Sequence, residues 1–312
     1  MVSGRVPEVL SLGDQDLRRV AVFSFCVVFS AMARNFRQLS LLPVSPRPFV
    51  KWAGGKGQLL PELVARVPQQ FNRYFEPFLG GAALFFHLQP QQAVLSDSNP
   101  DLINLYRVIR DQVEELIEDL GRHVYDREYY YRLRQVDRTP EYGQWTVVQR
   151  ASRFIYLNKT CYNGLYRVNS RGEFNVPFGR YKNPTILDEE NLRACHAALQ
   201  GVTVKCRDFR ETCRQLGEGD FVYFDPPYMP VSTTASFTGY TREGFGERMQ
   251  EKLASLCREL DRRGVRFMAS NSDTPLMREL YQGFNVEVVY AARPINSQGR
   301  KRGRVPEVVV RN

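Results

Sequence analysis

The residues Phe221-Val222-Tyr223-Phe224-Asp225-Pro226-Pro227-Tyr228 constrain this chain more than any others. Four consecutive apolar residues predict a short strand buried on both faces, as in the interior of a parallel sheet covered by helices. The polar residue after them emerges at the strand's carboxyl edge, where open α/β sheets bind ligands. Two prolines then fix φ and remove two backbone donors, which stiffens the turn and leaves carbonyl oxygens as acceptors. Tyr228 adds a flat ring beside the Asp225 carboxylate. A carboxylate, carbonyl oxygens and a π-face together suit an aromatic amine, which offers two N–H donors and a ring. The same residues also read as an ordinary strand-ending turn, because Asp and Pro both favour turns; the buried strand before them tips the reading towards a site.

Three stretches upstream carry the next layer of argument. In Phe49-Val50-Lys51-Trp52-Ala53-Gly54-Gly55-Lys56 two adjacent glycines let a ligand approach the backbone, with a lysine on each side and an indole able to stack. It lacks the spacing of a phosphate loop. Tyr74-Phe75-Glu76-Pro77-Phe78-Leu79-Gly80-Gly81-Ala82 reads as a strand, a glycine turn and the start of a helix running to about Leu88, the first βα unit of a cofactor-binding sheet. Ala93 to Ser96 predicts a second strand, with Asp97 placed to bind ribose hydroxyls or to help cap the helix from Pro100 to Arg110, for which Ser98 or Asn99 is the cap.

Asp225-Pro226-Pro227-Tyr228 resembles the catalytic motif of amino-methyltransferases that use S-adenosylmethionine and act on exocyclic amines of DNA bases. In that superfamily Asp in first position is typical of adenine-N6 enzymes, and Ser is common in cytosine-N4 enzymes. Together with the three upstream stretches, in this order, the chain resembles the DNA adenine methyltransferase (Dam) family with the α-type motif order. The resemblance implies a Rossmann-like methyltransferase fold of the α/β class with an inserted, mainly helical target-recognition domain. It places Trp52, Lys56, Asp97 and Asp225 at cofactor-contacting positions, and Glu76, Phe78 and Gly80 in the strand-turn against the methionine part. Many relatives carry a third glycine or a serine where this chain has Ala82, which narrows that space.

Between Asp111 and about Gln200 the βα alternation stops, and helical periodicity appears at Val113–Leu120, Tyr129–Val136, Trp145–Leu157 and Leu192–Leu199. An all-helical segment between two halves of a sheet reads as an insertion. Its stretch from Asn158 to Lys182 interleaves Arg, Asn and aromatic residues with glycine turns, as in a β-hairpin that enters a DNA groove; such a loop also serves as a solvated hairpin or a protein-binding surface. Arg can read guanine, Asn can read adenine, and basic side chains neutralise phosphates. Asn163-Gly164-Leu165, Arg167, Asn169 and the run Arg171 to Tyr181 resemble the target-recognition hairpin of Dam enzymes. There, the positions matching Lys51, Leu165, Arg167, Pro177 and Tyr181 contact GATC, and the one matching Tyr162 enters the base stack. Cys161 and Tyr166 fall at positions that vary in the family.

After Gln200 the sheet resumes with a strand at Val202–Lys205. Asp208 and Phe209 follow, placed to flank the cofactor's adenine, or, for Asp208, to cap the next helix. A Ser/Thr/Gly-rich link at Ser232–Thr241, a helix at Gly246–Arg262, and strands at Val265–Ala269, Phe284–Tyr290 and Val305–Arg311, the last two as a hairpin, complete the reading. Arg293, Arg300, Lys301, Arg302 and Arg304 form a basic run suited to solvent or to phosphate.

Composition adds direction rather than detail. With 43 Lys plus Arg against 34 Asp plus Glu, the net charge of +9 suits a polyanionic partner. The six cysteines contain no C-x-x-C pair and the three histidines lie far apart, which argues against a zinc site or a disulfide framework and for a reducing compartment, here the bacterial or phage-infected cytoplasm. No metal is expected, and the chain is expected to act as a monomer. Val20–Ala33, after Arg18-Arg19, has the parts of a signal peptide but is short for a membrane span. Export makes no sense for a DNA-modifying enzyme, so residues 1–45 are expected to be a disordered or non-native extension. Gly4-Arg5-Val6-Pro7-Glu8-Val9 recurs at Gly303–Val308.

The domain expectation is therefore a catalytic part at 46–110 and 201–312 and a recognition part at 111–200. The functional expectation is transfer of a methyl group from S-adenosylmethionine to adenine N6 in double-stranded DNA, at GATC, with the base flipped out. Two alternatives stand beside it: a DNA-binding protein of the same fold that has lost turnover, and a methyltransferase acting on another nucleic-acid amine.

Overall fold

The runs read as strands pair into one sheet whose order decides where the acid lies. The computed structural model describes residues 44–230, 245–292 and 304–312. Val20–Ala33, the first copy of the repeated hexapeptide, the Ser232–Thr241 link, and Arg293, Arg300, Lys301 and Arg302 lie outside the described residues. Residues Ser45–Asn312 form one compact unit.

Among the described residues the strands are β1 (Tyr74–Glu76), β2 (Ala93–Asp97), β3 (Thr203–Cys206), β4 (Phe221–Phe224), β5 (Arg266–Ser272), β6 (Asn285–Ala292) and β7 (Arg304–Arg311). Their order is β3-β2-β1-β4-β5-β7-β6. β1 to β5 are parallel, and β7 runs antiparallel to both β5 and β6. The chain steps outward from β1 to β2 and β3, then returns to the other side of β1 as β4. That reversal opens a crevice beyond the carboxyl ends of β1 and β4. Tyr74 pairs with Phe221 and Phe75 with Val222, so the residues that leave β1 and β4 start side by side.

All four residues of β4 are buried, as expected for an interior parallel strand. Alternate side chains enter two separate cores. Tyr74, Leu95, Phe221, Tyr223 and Met268 face one layer of helices. That layer comprises α1 (Leu60–Val64), α2 (Ala83–Leu88), α3 (Pro100–Asp111), α4 (Val113–Leu120), α5 (Arg127–Gln135), α6 (Val147–Thr160) and α7 (Glu189–Leu199). Phe75, Val94, Val222, Phe224 and Phe267 face α8 (Phe209–Cys213), α9 (Glu247–Arg262) and α10 (Pro275–Leu280). The helical segment thus shares its core with one face of the sheet.

Local chemistry sets the helix starts. Asn99 accepts the N–H groups of Asp101 and Leu102 before Pro100 at the first turn of α3. α6 begins two residues later than periodicity suggests because Thr146 and Gln149 form a reciprocal capping box. α5 begins two residues earlier because Asp126 caps it. α8 and α10 are too short for a periodic signal. Within the mainly helical insertion, the segment 161–188 has a short 3-10 turn at Tyr162–Gly164 as its only helical element. No helix among the described residues is long and apolar enough to cross a membrane.

Candidate active site

Asp225 leaves β4 at the crevice, and the side chains of two residues fix its carboxylate. The Lys56 Nζ lies 2.7 Å from Asp225 Oδ1, and the Ser270 hydroxyl donates to the same oxygen at 3.0 Å. Ser270 in turn lies 3.0 Å from the buried Tyr223 hydroxyl. Lys56 is itself buried, because the Gly54-Gly55 turn folds its side chain inward, where its ammonium donates to the Gly54 carbonyl and sits 4.6 Å from the centre of the Tyr228 ring. Burial raises the Asp225 carboxyl above the usual range, while the Lys56 ammonium and the Ser270 hydroxyl draw it back.

The proline turn is held as firmly as the acid. Gln250 donates to the Pro227 carbonyl at 2.8 Å, and Asn271 accepts the Met229 N–H at 3.0 Å. Asn271 also donates to Gln250 at 3.1 Å, which closes the clamp. The Pro227 carbonyl is therefore occupied, contrary to the expectation that both proline carbonyls stay available. The Tyr228 hydroxyl donates to Glu307 at 2.8 Å.

Around the crevice lie the other residues singled out in the sequence. Glu76 is 2% exposed, accepts from Tyr74 at 2.8 Å, and is pushed up to about 8 by burial, which the charge on Asp225 reinforces and the Tyr74 hydrogen bond opposes. Asp97 is pushed up to about 6 by burial, against the N–H groups of Asn99 at 2.9 Å and Gly80 at 3.4 Å. Gly80 has φ of +46°, and a Cβ there would come 2.7 Å from the Trp52 ring. Trp52 thus lies directly on the glycine turn. Ala82 adopts the left-handed region at φ +52°, at a cost of roughly 1 kcal/mol that glycine would not incur.

Phe78 stacks on Phe209 at 5.2 Å and meets Phe245 edge-on. Asp208, one of two roles considered, caps α8 and grips Arg210 at 2.6 Å. Among the described residues, no three His, Cys, Asp or Glu side chains converge as a metal site.

The segment from Cys161 to Tyr181 folds back on itself, but as two isolated bridges, Cys161 with Phe178 and Val168 with Phe174, not a continuous ladder. Asn163 at φ +57°, Gly164, Gly172 and Pro177 interrupt regular pairing. Tyr162 is 54% exposed, and Asn163 and Pro177 are also exposed; Leu165 is half-buried. Arg167 donates to Asn175 at 2.7 Å, which aims its guanidinium. Asn169 is committed to the turn: its oxygen accepts from Arg171 and Glu173, and its nitrogen donates to Glu173. Tyr181 donates to the Cys161 carbonyl at 2.9 Å, and the Lys51 ammonium lies 5.0 Å from the centre of its ring.

One loop joins the two regions. Lys51 reaches the foot of the folded-back segment, Trp52 stacks on Tyr166 at 5.3 Å, and Lys56 reaches Asp225. Asn158, 1% exposed, clamps this loop: it accepts the Lys51 N–H and donates to the Lys51 and Gly164 carbonyls. A Cβ on Gly164 would overlap the Lys51 side chain, so glycine is required for that approach. Sequence reasoning missed Asn158, Gln250, Ser270, Asn271 and Glu307, and gave Tyr166 little weight. Only polarity within apolar stretches marked them, notably Ser270-Asn271-Ser272 closing β5.

An open sheet of this order, with an acid-proline turn at its switch point, has the build of a Rossmann-like methyltransferase. The chain belongs to the D12 class N6 adenine-specific DNA methyltransferase family, which matches residues 52–295. It is similar to Type II methyltransferase M1.LlaDCHI of Lactococcus lactis subsp. cremoris, at 45% identity over 273 residues, 86% of this chain and 96% of that one. Type II methyltransferase M.MjaIII of Methanocaldococcus jannaschii is 42% identical over 275 residues, 82% of this chain and 95% of that one. The DNA adenine methylase of Escherichia coli (strain K12) is 36% identical over 268 residues, 84% and 94% of the two chains. Its substrate class is accordingly DNA.

Proposed function

We propose that this chain transfers a methyl group from S-adenosylmethionine to N6 of an adenine flipped out of duplex DNA, at GATC sites, with 46–110 and 201–312 as the catalytic part and 111–200 as the recognition part. One observation carries the reading: the Asp225 carboxylate and the Tyr228 ring converge on a single nitrogen donor, now the Lys56 ammonium. An exocyclic amine in that place would meet the same acceptor and the same π-face.

The crevice fits the proposed methyl donor by the chemistry of its donor set. Glu76, Asp97 and Asp225 are three buried acids bordering the crevice, and of the three only Asp225 is ion-paired among the described residues, to Lys56, so the lining suits a ligand that carries a positive charge. Asp97 keeps lone pairs for a ribose diol after taking two N–H groups. Glu76, the glycine turn with Trp52, and Phe78 would border the methionine part, and Phe209 the adenine. When bound, S-adenosylmethionine supplies an electrophilic methyl group on a sulfonium.

The N6 amine is conjugated into its ring and is a weak nucleophile. Asp225 and the Pro226 carbonyl accept its two hydrogens and direct its lone pair, so orientation and electrostatics supply the main catalytic terms. Extruding the base costs a few kcal/mol, and stacking on Tyr228, worth about 1–3 kcal/mol, largely offsets it. Lys56 gives up its contact with Asp225 as the amine enters. Lys51, Tyr162, Leu165, Arg167, Pro177 and Tyr181 line the DNA side.

The test is Asp225→Ala, assayed by labelled methyl incorporation into unmethylated duplex DNA. Methyl transfer should vanish while DNA binding stays measurable, and full activity would end the mechanism. The site is tested by digesting the product with nucleases that differ in tolerance of methylated GATC.

A further inference from the structure

Tyr228 is stiffened on both sides before its own side chain is considered. Pro226 and Pro227 fix two φ angles, Gln250 holds the Pro227 carbonyl, and Asn271 holds the Met229 N–H. What remains free is the rotation of the phenol about χ1 and χ2. Both are restrained if the hydroxyl at the far end of the ring is anchored; it donates to Glu307 at 2.8 Å, and the Ser270 hydroxyl lies beside it as a second partner. Glu307 is 9% exposed and lies inside the sheet on β7, opposite Ser272 on β5 and Val289 on β6, so its own carboxylate is well positioned. Strand β7 begins after the family match ends at residue 295.

We propose that Glu307 is a positioning residue for methyl transfer: by accepting the Tyr228 hydroxyl it holds the phenol ring face-on to the site of the amine, and so presents a preorganised stacking surface to the everted base. This rests on the reading of Tyr228 as the base-stacking ring. The physical gain is twofold. A ring already held in place loses little rotational freedom when a base stacks on it. A phenol donating to a carboxylate is also more electron-rich, which strengthens its attraction for a nitrogen bearing positive charge, as in its present contact with Lys56.

The experiment is a double-mutant cycle on the full-length chain, with kcat, KM for unmethylated duplex DNA and thermal midpoint measured for wild type, Glu307→Leu, Glu307→Gln, Tyr228→Phe and the Tyr228→Phe/Glu307→Leu pair. Glu307→Leu should lower kcat about tenfold with KM unchanged, the factor expected for losing one hydrogen bond to a charged group. Glu307→Gln keeps an acceptor oxygen and should recover most of that loss. In the Tyr228→Phe background, where no hydroxyl remains to be held, Glu307→Leu should have no further effect on kcat.

Multiplying losses in the double variant, or a wild-type kcat in Glu307→Leu, would overturn the proposal. Should Glu307→Leu fail to fold, Glu307→Met, which also lacks the carboxylate acceptor, made with Tyr228 intact and again together with Tyr228→Phe gives the same comparison: a kcat loss of equal size in both would overturn it, whereas a loss confined to the chain that keeps Tyr228 would support it. Full activity in Tyr228→Ala would instead defeat the stacking reading itself, and is told apart because it does not depend on residue 307.

Discussion

The acid-proline turn and the folded-back segment at 161–181 are both irregular, yet they are held in opposite ways. The turn takes its support from afar: Ser270 reaches Asp225 across 45 residues, Asn271 reaches Met229 across 42, and Glu307 reaches Tyr228 across 79. The folded-back segment supports much of itself, with Arg167 on Asn175 eight residues away and Asn169 on Glu173 four away. A reacting centre needs atoms held to a fraction of an ångström, which side chains on neighbouring strands can provide. A surface that must adapt to a groove is better served by short-range turns, whose geometry survives small movements of the rest. The Lys51–Lys56 loop is where the two meet.

That contrast can be broken or sharpened by substitution. The largest effect belongs to Asp225→Ala, which should remove turnover and leave DNA binding; loss of binding instead would mean that the turn also shapes the DNA surface.

Next is Glu76→Gln. The wild-type carboxyl ionises at about 8 in the folded protein, against 4.5 for an unperturbed glutamate. Its folded pKa is raised, so the stability it contributes is complete below about pH 4.5 and is lost as pH rises towards and through about 8. Between those limits the ligand-free wild type should lose up to on the order of 4 kcal/mol relative to Glu76→Gln. Denaturant midpoints across that range provide the check, and parallel pH profiles for the two proteins would refute it.

Asn158→Ala should cost about 3 kcal/mol, because it leaves part-buried backbone groups of Lys51 and the buried Gly164 carbonyl without their partner. Since Asn158 sits at the junction, both turnover and sequence discrimination should fall; a loss of stability with discrimination intact would show that the two regions are independent. Arg167→Ala has the smallest expected effect, about 1–3 kcal/mol of discrimination at one guanine with kcat at the correct site little changed. Binding competition between duplexes altered at single positions would measure it, and an unchanged preference would remove Arg167 from recognition.

Legibility in the sequence followed the range of the interactions. β4 was readable because four apolar residues and two prolines act on their own backbone, and α3 because Asn99 and Pro100 start it within one turn. Asp208 was readable as two alternatives, and its carboxylate accepts the Arg210 N–H at the start of α8. The stretch from Asn158 to Lys182 misled in the other direction: its glycines and aromatic residues suggested a regular hairpin, and positive φ at Asn163 and the bridge-only pairing make it something looser. Tyr166 looked uninformative because stacking between Trp52 and Phe154 leaves no local trace.

By itself, the order of residues determined the strands and most helices, the stiff turn with its acid and ring, and the concentration of basic and aromatic side chains downstream of α6, since each depends on neighbours within a few positions. Tertiary structure alone decided that β4 returns beside β1, and so that Asp225, Lys56, Ser270 and Glu307 share one crevice. Those contacts join residues whose only relation is adjacency in the sheet or in the loop laid across it, and nothing in the separation along the chain encodes which of many buried polar side chains will meet.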